Sequence, residues 1–326
     1  MIPAINISEP DMHTLEVPDK NKTILIPDHW DECTKREVND LFCRALHVVL
    51  DNVTMYDYYL YALKRLDIFK PGLKVSIYSK VLGERWRQQY FSAIYFYASK
   101  TLSWAFKTNK EGRMELNYNT VRQNLPMIQV GRKKLYGPSD LLEDLTFGEF
   151  RNAKAELDKH YLFAKDPETR AESEEAMDAF MACLYRPAER RAKEANDDPK
   201  SRAPFNAKHI NTRYTRKIPM WKKMQVMLWF TYCISYIQTE DLLLDGNEIN
   251  FSPIFPKSLD DDKEREVKLN SRGTGWTGLL HSVAKEGVFG DAEKTDQTLL
   301  FDVLLYMYKN HLDNIKIQQQ QKRKSS

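Results

Sequence analysis

His29 and Cys33, followed by Cys43 and His47, are the side chains whose types and spacing could do chemistry. Each pair is four residues apart, so a helix would set Cys43 and His47 on one face. Zinc takes nitrogen and sulfur ligands of this kind in a tetrahedron. The spacing fits no standard finger, however, and Cys43 and His47 sit among Phe42, Leu46 and Leu50, where a buried thiol and a core-edge imidazole are commonplace. Packing is the favoured reading, with metal binding as its alternative. Gly273-Thr274-Gly275-Trp276-Thr277-Gly278 has the spacing of a dinucleotide fingerprint. That motif works only when a hydrophobic strand aims the loop at a helix N-terminus. Here the preceding Lys268-Leu269-Asn270-Ser271-Arg272 is short and polar, so the glycines read as a helix entry. The run Asp260-Asp261-Asp262 lacks the alternating ligands and closing glutamate of a calcium loop, and reads as a spacer.

A basic span is the stronger binding signal. Arg186, Arg190, Arg191 and Lys193 open it, and Lys208, Arg213, Arg216, Lys217, Lys222 and Lys223 extend it, with Tyr214 and Trp221 interleaved. Cations beside aromatic rings suit phosphate contacts with base stacking, which makes a nucleic-acid-binding accessory protein using 186–223 the alternative reading. Glu189, Glu194, Asp197 and Asp198 dilute the first half, and a solvated loop or a face for an acidic protein partner is favoured. The residues expected to meet a partner are Tyr185, Arg186, Arg190, Arg191, Arg213, Tyr214, Arg216, Lys217 and Trp221. The aromatic clusters around Tyr56–Tyr61 and Tyr90–Tyr97 read as core and interface material. There is no nucleophile elbow, no Gly-Lys-Ser/Thr phosphate loop and no His-Glu-x-x-His, so the expectation is a non-enzymatic protein without a cofactor.

The elements that must position these residues are mainly helical. Glycine is sparse (12 of 326 residues) and aromatic content is high, a balance that suits packed helices better than a turn-rich sandwich. A net charge of +3 names no partner by itself. Cys33, Cys43, Cys183 and Cys233 form no framework, Met1–Asn6 has no basic start with an apolar run, and no stretch is long enough to span a bilayer; reduced thiols in a cytoplasm and no membrane partner are expected.

Along the chain, 1–33 reads as extended, with Leu15, Val17, Ile24 and Ile26 flanking a polar hairpin or loop. A helical core follows over 34–239, with helices predicted over 34–68, 83–106, about 147–163 and about 169–185, and a short hairpin near 127–136. Thr146 with Glu149 has the form of a capping box, and Pro187 must end the helix before it. An acidic linker over 240–270, a C-terminal helix pair over 271–317 and a disordered basic tail over 318–326 complete the expected organisation.

Several phrases stand out along the chain. They are Ile26-Pro27-Asp28-His29-Trp30-Asp31-Glu32; Leu135-Tyr136-Gly137-Pro138-Ser139-Asp140 leading to Leu145-Thr146-Phe147-Gly148-Glu149-Phe150; Ala182-Cys183-Leu184-Tyr185-Arg186-Pro187; and Gly275-Trp276 with Val288-Phe289-Gly290. In these the chain resembles tailed-phage and prophage proteins of Bacteroidetes-type hosts, parts of which are similar to helical tail-assembly proteins. The resemblance implies virion morphogenesis through protein–protein binding, as a tail-assembly chaperone-like factor or a minor virion component. It implies phage structural or tail proteins as partners, met in the host cytoplasm during assembly or in the virion. It carries no functional residues with it. The same phrases also have a local physical meaning: Gly137-Pro138 turns the chain before a capped helix, and Arg186 offers a cation to the end of the helix before Pro187.

Overall fold

The computed structural model describes residues 13–17, 22–68, 77–78, 80–90, 92–188, 202–244, 246–255 and 275–325. The fold is mainly helical, with small antiparallel hairpins. The chain closes into two compact units that are interleaved in sequence, one from Ile7–Leu125 with Pro219–Tyr232, the other from Pro126–Ile218 with Cys233–Ser326. These lines differ from the boundaries at 33, 240, 270 and 317 that composition suggested.

The first unit opens with β1 (His13–Val17) paired antiparallel to β2 (Lys22–Ile26), Leu15 opposite Ile24. The run over 34–68 is two helices, α1 (Lys35–Val49) and α2 (Met55–Arg65). They part because Asp51 takes a left-handed φ of 55° and Thr54 then caps α2 by accepting from the Asp57 N–H. Thr34 and Glu37 form a reciprocal capping box on α1, whose Val38, Leu41, Phe42, Ala45 and Leu46 make one buried face. Trp30, fully buried, is the hub of this unit. Its Nε1–H donates to the Asn117 carbonyl at 2.6 Å, and the rings of Trp104 and Tyr118 meet it at 4.8 and 5.1 Å. Within the run over 83–106, Gly83–Tyr90 (α3) and Ser92–Thr101 (α4) are helical, Phe91 lying outside the described residues, and β3 (Phe106–Thr108) then pairs with β4 (Met114–Leu116). From α7 (Met220–Thr239), Gln225 donates to the Tyr118 hydroxyl and to Asn39 Oδ1, and Trp229 donates to the Val121 carbonyl.

The second unit is built on α5 (Phe147–Phe163) packed along α6 (Arg170–Leu184). The hairpin β5 (Met127–Val130) and β6 (Lys133–Tyr136) leads into α5, as the alternating Met127, Ile128 and Val130 predict. Its turn begins at Gly131, where φ is +57°. The stretch expected as an acidic linker contains a further hairpin, β7 (Leu242–Leu244) and β8 (Asn247–Ile249), with Leu242 and Leu244 turned inward; Asp260-Asp261-Asp262 lies outside the described residues. The C-terminal pair is three helices, α8 (Gly275–Glu286), α9 (Ala292–Gln297) and α10 (Leu300–Ser325), because Asp291 caps a separate short helix. The tail expected to be disordered continues α10 through Ser325, as its Gln, Lys and Arg residues are good helix formers.

Candidate functional site

The three phrases between residues 135 and 187 converge on one place in the second unit. β6 ends at Tyr136, and Arg186 pairs with it as an edge: Tyr136 N–H donates to the Arg186 carbonyl at 2.8 Å, and Arg186 N–H returns to the Tyr136 carbonyl at 3.1 Å. The chain comes back at Arg202, paired with Ala188, and the Ala203 N–H donates to the Pro187 carbonyl at 2.9 Å. Gly137 is required here. A Cβ on it would fall 2.6 Å from the Tyr185 ring, which lies directly against its backbone.

Beneath this edge lies a buried ionic cluster. Thr146 and Glu149 cap α5 reciprocally, the Glu149 Oε2 accepting from the Thr146 N–H at 2.9 Å. The Glu149 side chain is 3% exposed and receives Arg186 Nη2 on Oε1 and Arg202 Nη2 on Oε2, the latter at 3.3 Å. Arg186 also donates Nε–H to the Ala203 carbonyl at 2.7 Å and Nη1–H to the Cys183 carbonyl at the end of α6. The cation expected at that helix end is therefore there, and it bonds the carbonyl as well as facing the dipole. Arg202 reaches the Asp144 carboxylate at 3.3 Å and its carbonyl at 2.9 Å. Burial first, and then Arg202, push the Arg186 guanidinium below its usual value, while Asp144 pulls it back up. Burial likewise lowers Arg202, against Asp144. Two guanidiniums facing two carboxylates balance charge, and the cations stay ionised at neutral pH.

Against this cluster a pocket of about 190 Å³ opens between Leu135 and Ala182 on one side and the returning arm on the other. Tyr185, Pro187, Phe205, Ile210 and Tyr214 give it aromatic and apolar walls, while Asn206, His209 and Asn211 supply polar groups. Arg186 stacks under Phe205 at 5.4 Å, and Thr215 ties the arm to α6 by donating to the Asp178 carbonyl at 2.8 Å. The volume is below the ~300–1,000 Å³ of small-molecule and cofactor sites and suits a single side chain.

Of the residues expected to meet a partner, Tyr185, Arg186 and Tyr214 are brought together around this pocket. Tyr185 and Arg186 face it from within, Tyr185 being 2% exposed and Arg186 engaged by Glu149, so neither is the free surface group the sequence suggested. Arg213 is exposed over the Tyr214 ring at 5.9 Å, Lys217 is exposed, and Arg216 pairs with Glu175 at 3.4 Å. Trp221, stacked by Lys222 at 5.3 Å, belongs to the first unit. Arg190 and Arg191 lie outside the described residues. Sequence reading missed Arg202, Asp144, Phe205 and His209. Nothing local marks them, since their roles come from contacts with residues up to 58 positions away.

Of the early candidates, one thiol lies in the core and one imidazole lies in solvent. Cys33 is buried, its thiol pushed up to about 12 chiefly by burial. His47 is exposed at the end of α1, and among the described residues no group of potential metal ligands is assembled. Gly273 and Thr274 lie outside the described residues; the rest of the fingerprint opens α8, and Trp276 packs edge-on to Phe150 at 4.9 Å. Among the described residues no helix is long and apolar enough to cross a membrane. Comparison with family models, with curated proteins and with solved structures gives no match to this chain.

Proposed function

We propose that the protein is a non-enzymatic binding protein of phage morphogenesis, a tail-assembly chaperone-like factor or minor virion component, that seats one apolar or aromatic side chain of a partner in the 185–215 pocket. The pocket carries this reading: its walls are aromatic and apolar, and the charged residue beside it is saturated from within. An arginine whose donors already serve Glu149, Ala203 and Cys183 is poorly placed to bind phosphate or polarise a substrate. The exposed Arg213 and Lys217, in the same arm as the lining residues Tyr214 and Thr215, favour an acidic flank on the partner segment. The phage setting rests on the resemblance in the phrases around Gly137, Glu149 and Arg186. Engagement of Arg186, Arg202 and Arg216 with carboxylates leaves fewer cations for nucleic acid than the sequence total suggests.

The test is affinity capture of the tagged full chain from infected or prophage-induced cells, with nuclease-treated controls and an Ile210→Asp variant. Tail or capsid subunits that survive nuclease and are lost with Ile210→Asp are expected. Recovery of nucleic acid, with protein partners lost on nuclease treatment, would overturn the reading.

A further inference from the structure

The long C-terminal helix carries an apolar stripe, away from the pocket, that its own unit covers only in part. On α10, Phe301, Leu305, Tyr308, Leu312 and Ile315 recur at alternating spacings of four and three, the stripe of a helix that packs on another helix. The stripe begins on the body of its own unit: Phe301 and Tyr308 lie against Phe251 at 6.4 and 6.0 Å, and Asn310 donates to Glu286 at 3.0 Å. Beyond this the body no longer covers it. Residues 312–323 are all exposed, with Leu312 at 39% and Ile315 at 37%. The segment 312–325 extends about 21 Å at 1.5 Å per residue.

Charge selects the partner. With Leu305 and Leu312 at the first core position of each heptad, and Tyr308 and Ile315 at the second, the position just after the second is filled by Lys309, Lys316 and Arg323, Lys316 also reaching Asp313 on its own helix at 3.3 Å. The opposite flank carries His311 and Gln318. Two parallel copies would set the basic flank against His311 and Gln318, with no carboxylate to meet it, and two antiparallel copies would set the basic flanks against each other. We infer that residues 309–325 are a docking helix for an amphipathic helix of a different chain, one with apolar residues at heptad spacing and acidic residues flanking them.

The test titrates the full-length protein against labelled three-heptad peptides with leucine at both core positions and either glutamate or lysine on the flanks. A short DNA duplex serves as the third probe. Saturable binding of the glutamate peptide is expected, weakened about tenfold or more by Ile315→Asp. The triple change Lys309→Glu, Lys316→Glu, Arg323→Glu should shift preference to the lysine peptide. These side chains are exposed, so circular dichroism should show the body unchanged, and Leu312→Ala gives a milder check on the same stripe. Equal binding of both peptides, no binding of either, or affinity indifferent to Ile315→Asp would overturn the inference. So would binding of the duplex alone. A concentration-dependent dimer in sedimentation, dissolved by Ile315→Asp, would assign the stripe to a second copy instead.

Discussion

Glu149 is the residue on which the site turns. Replacing it by glutamine leaves Arg186 and Arg202 buried with one carboxylate between them, and removal of one partner from a buried ion pair costs about 3–5 kcal/mol. Glu149→Gln should lower the unfolding free energy of the second unit by that order, and an unchanged denaturation midpoint would show that the cluster is not a stabilising contact. His29 gives a pH-dependent case in the first unit. Its Nδ1 lies 3.3 Å from the Asp31 N–H and 3.2 Å from Asp31 Oδ2. A neutral ring can accept from the N–H, whereas a protonated ring donates to the carboxylate. The hydrogen bond with Asp31 raises His29 against its burial, and the His29 and Thr120 hydrogen bonds outweigh burial to hold Asp31 low. The raised imidazole stabilises fully below about 6.5 and loses this as pH rises through its folded value; the lowered carboxylate stabilises above about 3.9 and loses this as pH falls. Both therefore act between roughly pH 4 and 6.5. The stability difference between wild type and His29→Asn should be larger at pH 5.5 than at pH 8.5. Equal differences in urea denaturation at the two values would exclude the linkage. The capping role of Glu149 was legible in the spacing of Thr146 and Glu149, because caps are local. Its second role was not, because Arg186 is 37 residues away and nothing in a basic stretch distinguishes a buried guanidinium from a solvated one.

At the scale of elements, α9 is held against the start of α5. The Phe147 N–H donates to the Thr298 carbonyl, the Leu300 N–H donates to the Leu145 carbonyl, both at 2.8 Å, and Arg151 pairs with Asp296 at 2.7 Å. Gly148 permits this approach, since a Cβ there would fall 2.9 Å from the Asp296 carbonyl oxygen. Gly148→Ala should push α9 away at a cost of about 1–3 kcal/mol, typical of overpacking. Faster amide exchange at Phe147 and Leu300 is the expected readout, and unaltered protection at both would refute it. The two central helices were readable from periodicity, Thr146 and Pro187, and α5 spans the expected Phe147–Phe163. The break inside the predicted helix over 34–68 was not. Apolar spacing continues through the turn at Asp51 and does not record a residue with positive φ. Leu242–Ile249 was hidden for another reason: three leucines in an acidic context look like a linker until Gly246, at φ +80°, turns them into a hairpin.

For the whole molecule, the interleaving of the units changes what a truncation means. Composition placed a boundary at 240, which would make 34–239 a self-sufficient core. The second unit, however, draws on 233–326 as well as 126–218. Removal of 240–326 takes away Trp276 from Phe147 and Phe150, together with the partners of Gly148 and Arg151. Hydrogen exchange on the 1–239 fragment should show protection lost over 147–184 and retained over 35–65. Protection kept over 147–184 would show that α5 and α6 need nothing from the C-terminal helices. Discontinuous units of this kind leave no trace in a sequence read from one end to the other, since composition changes mark loops and not the pairing of distant segments.

The clasp at the foot of 189–201 has a consequence for chain continuity. Arg186 and Arg202 stand on either side of that stretch and grip the same carboxylate, while the Pro187 carbonyl holds the Ala203 N–H. Severing the backbone between them separates two pieces in covalent terms only. Each new end stays moored to Glu149, so a protein nicked there would behave as a pair of fragments that reconstitute each other, and the pocket would outlast the bond that was cut.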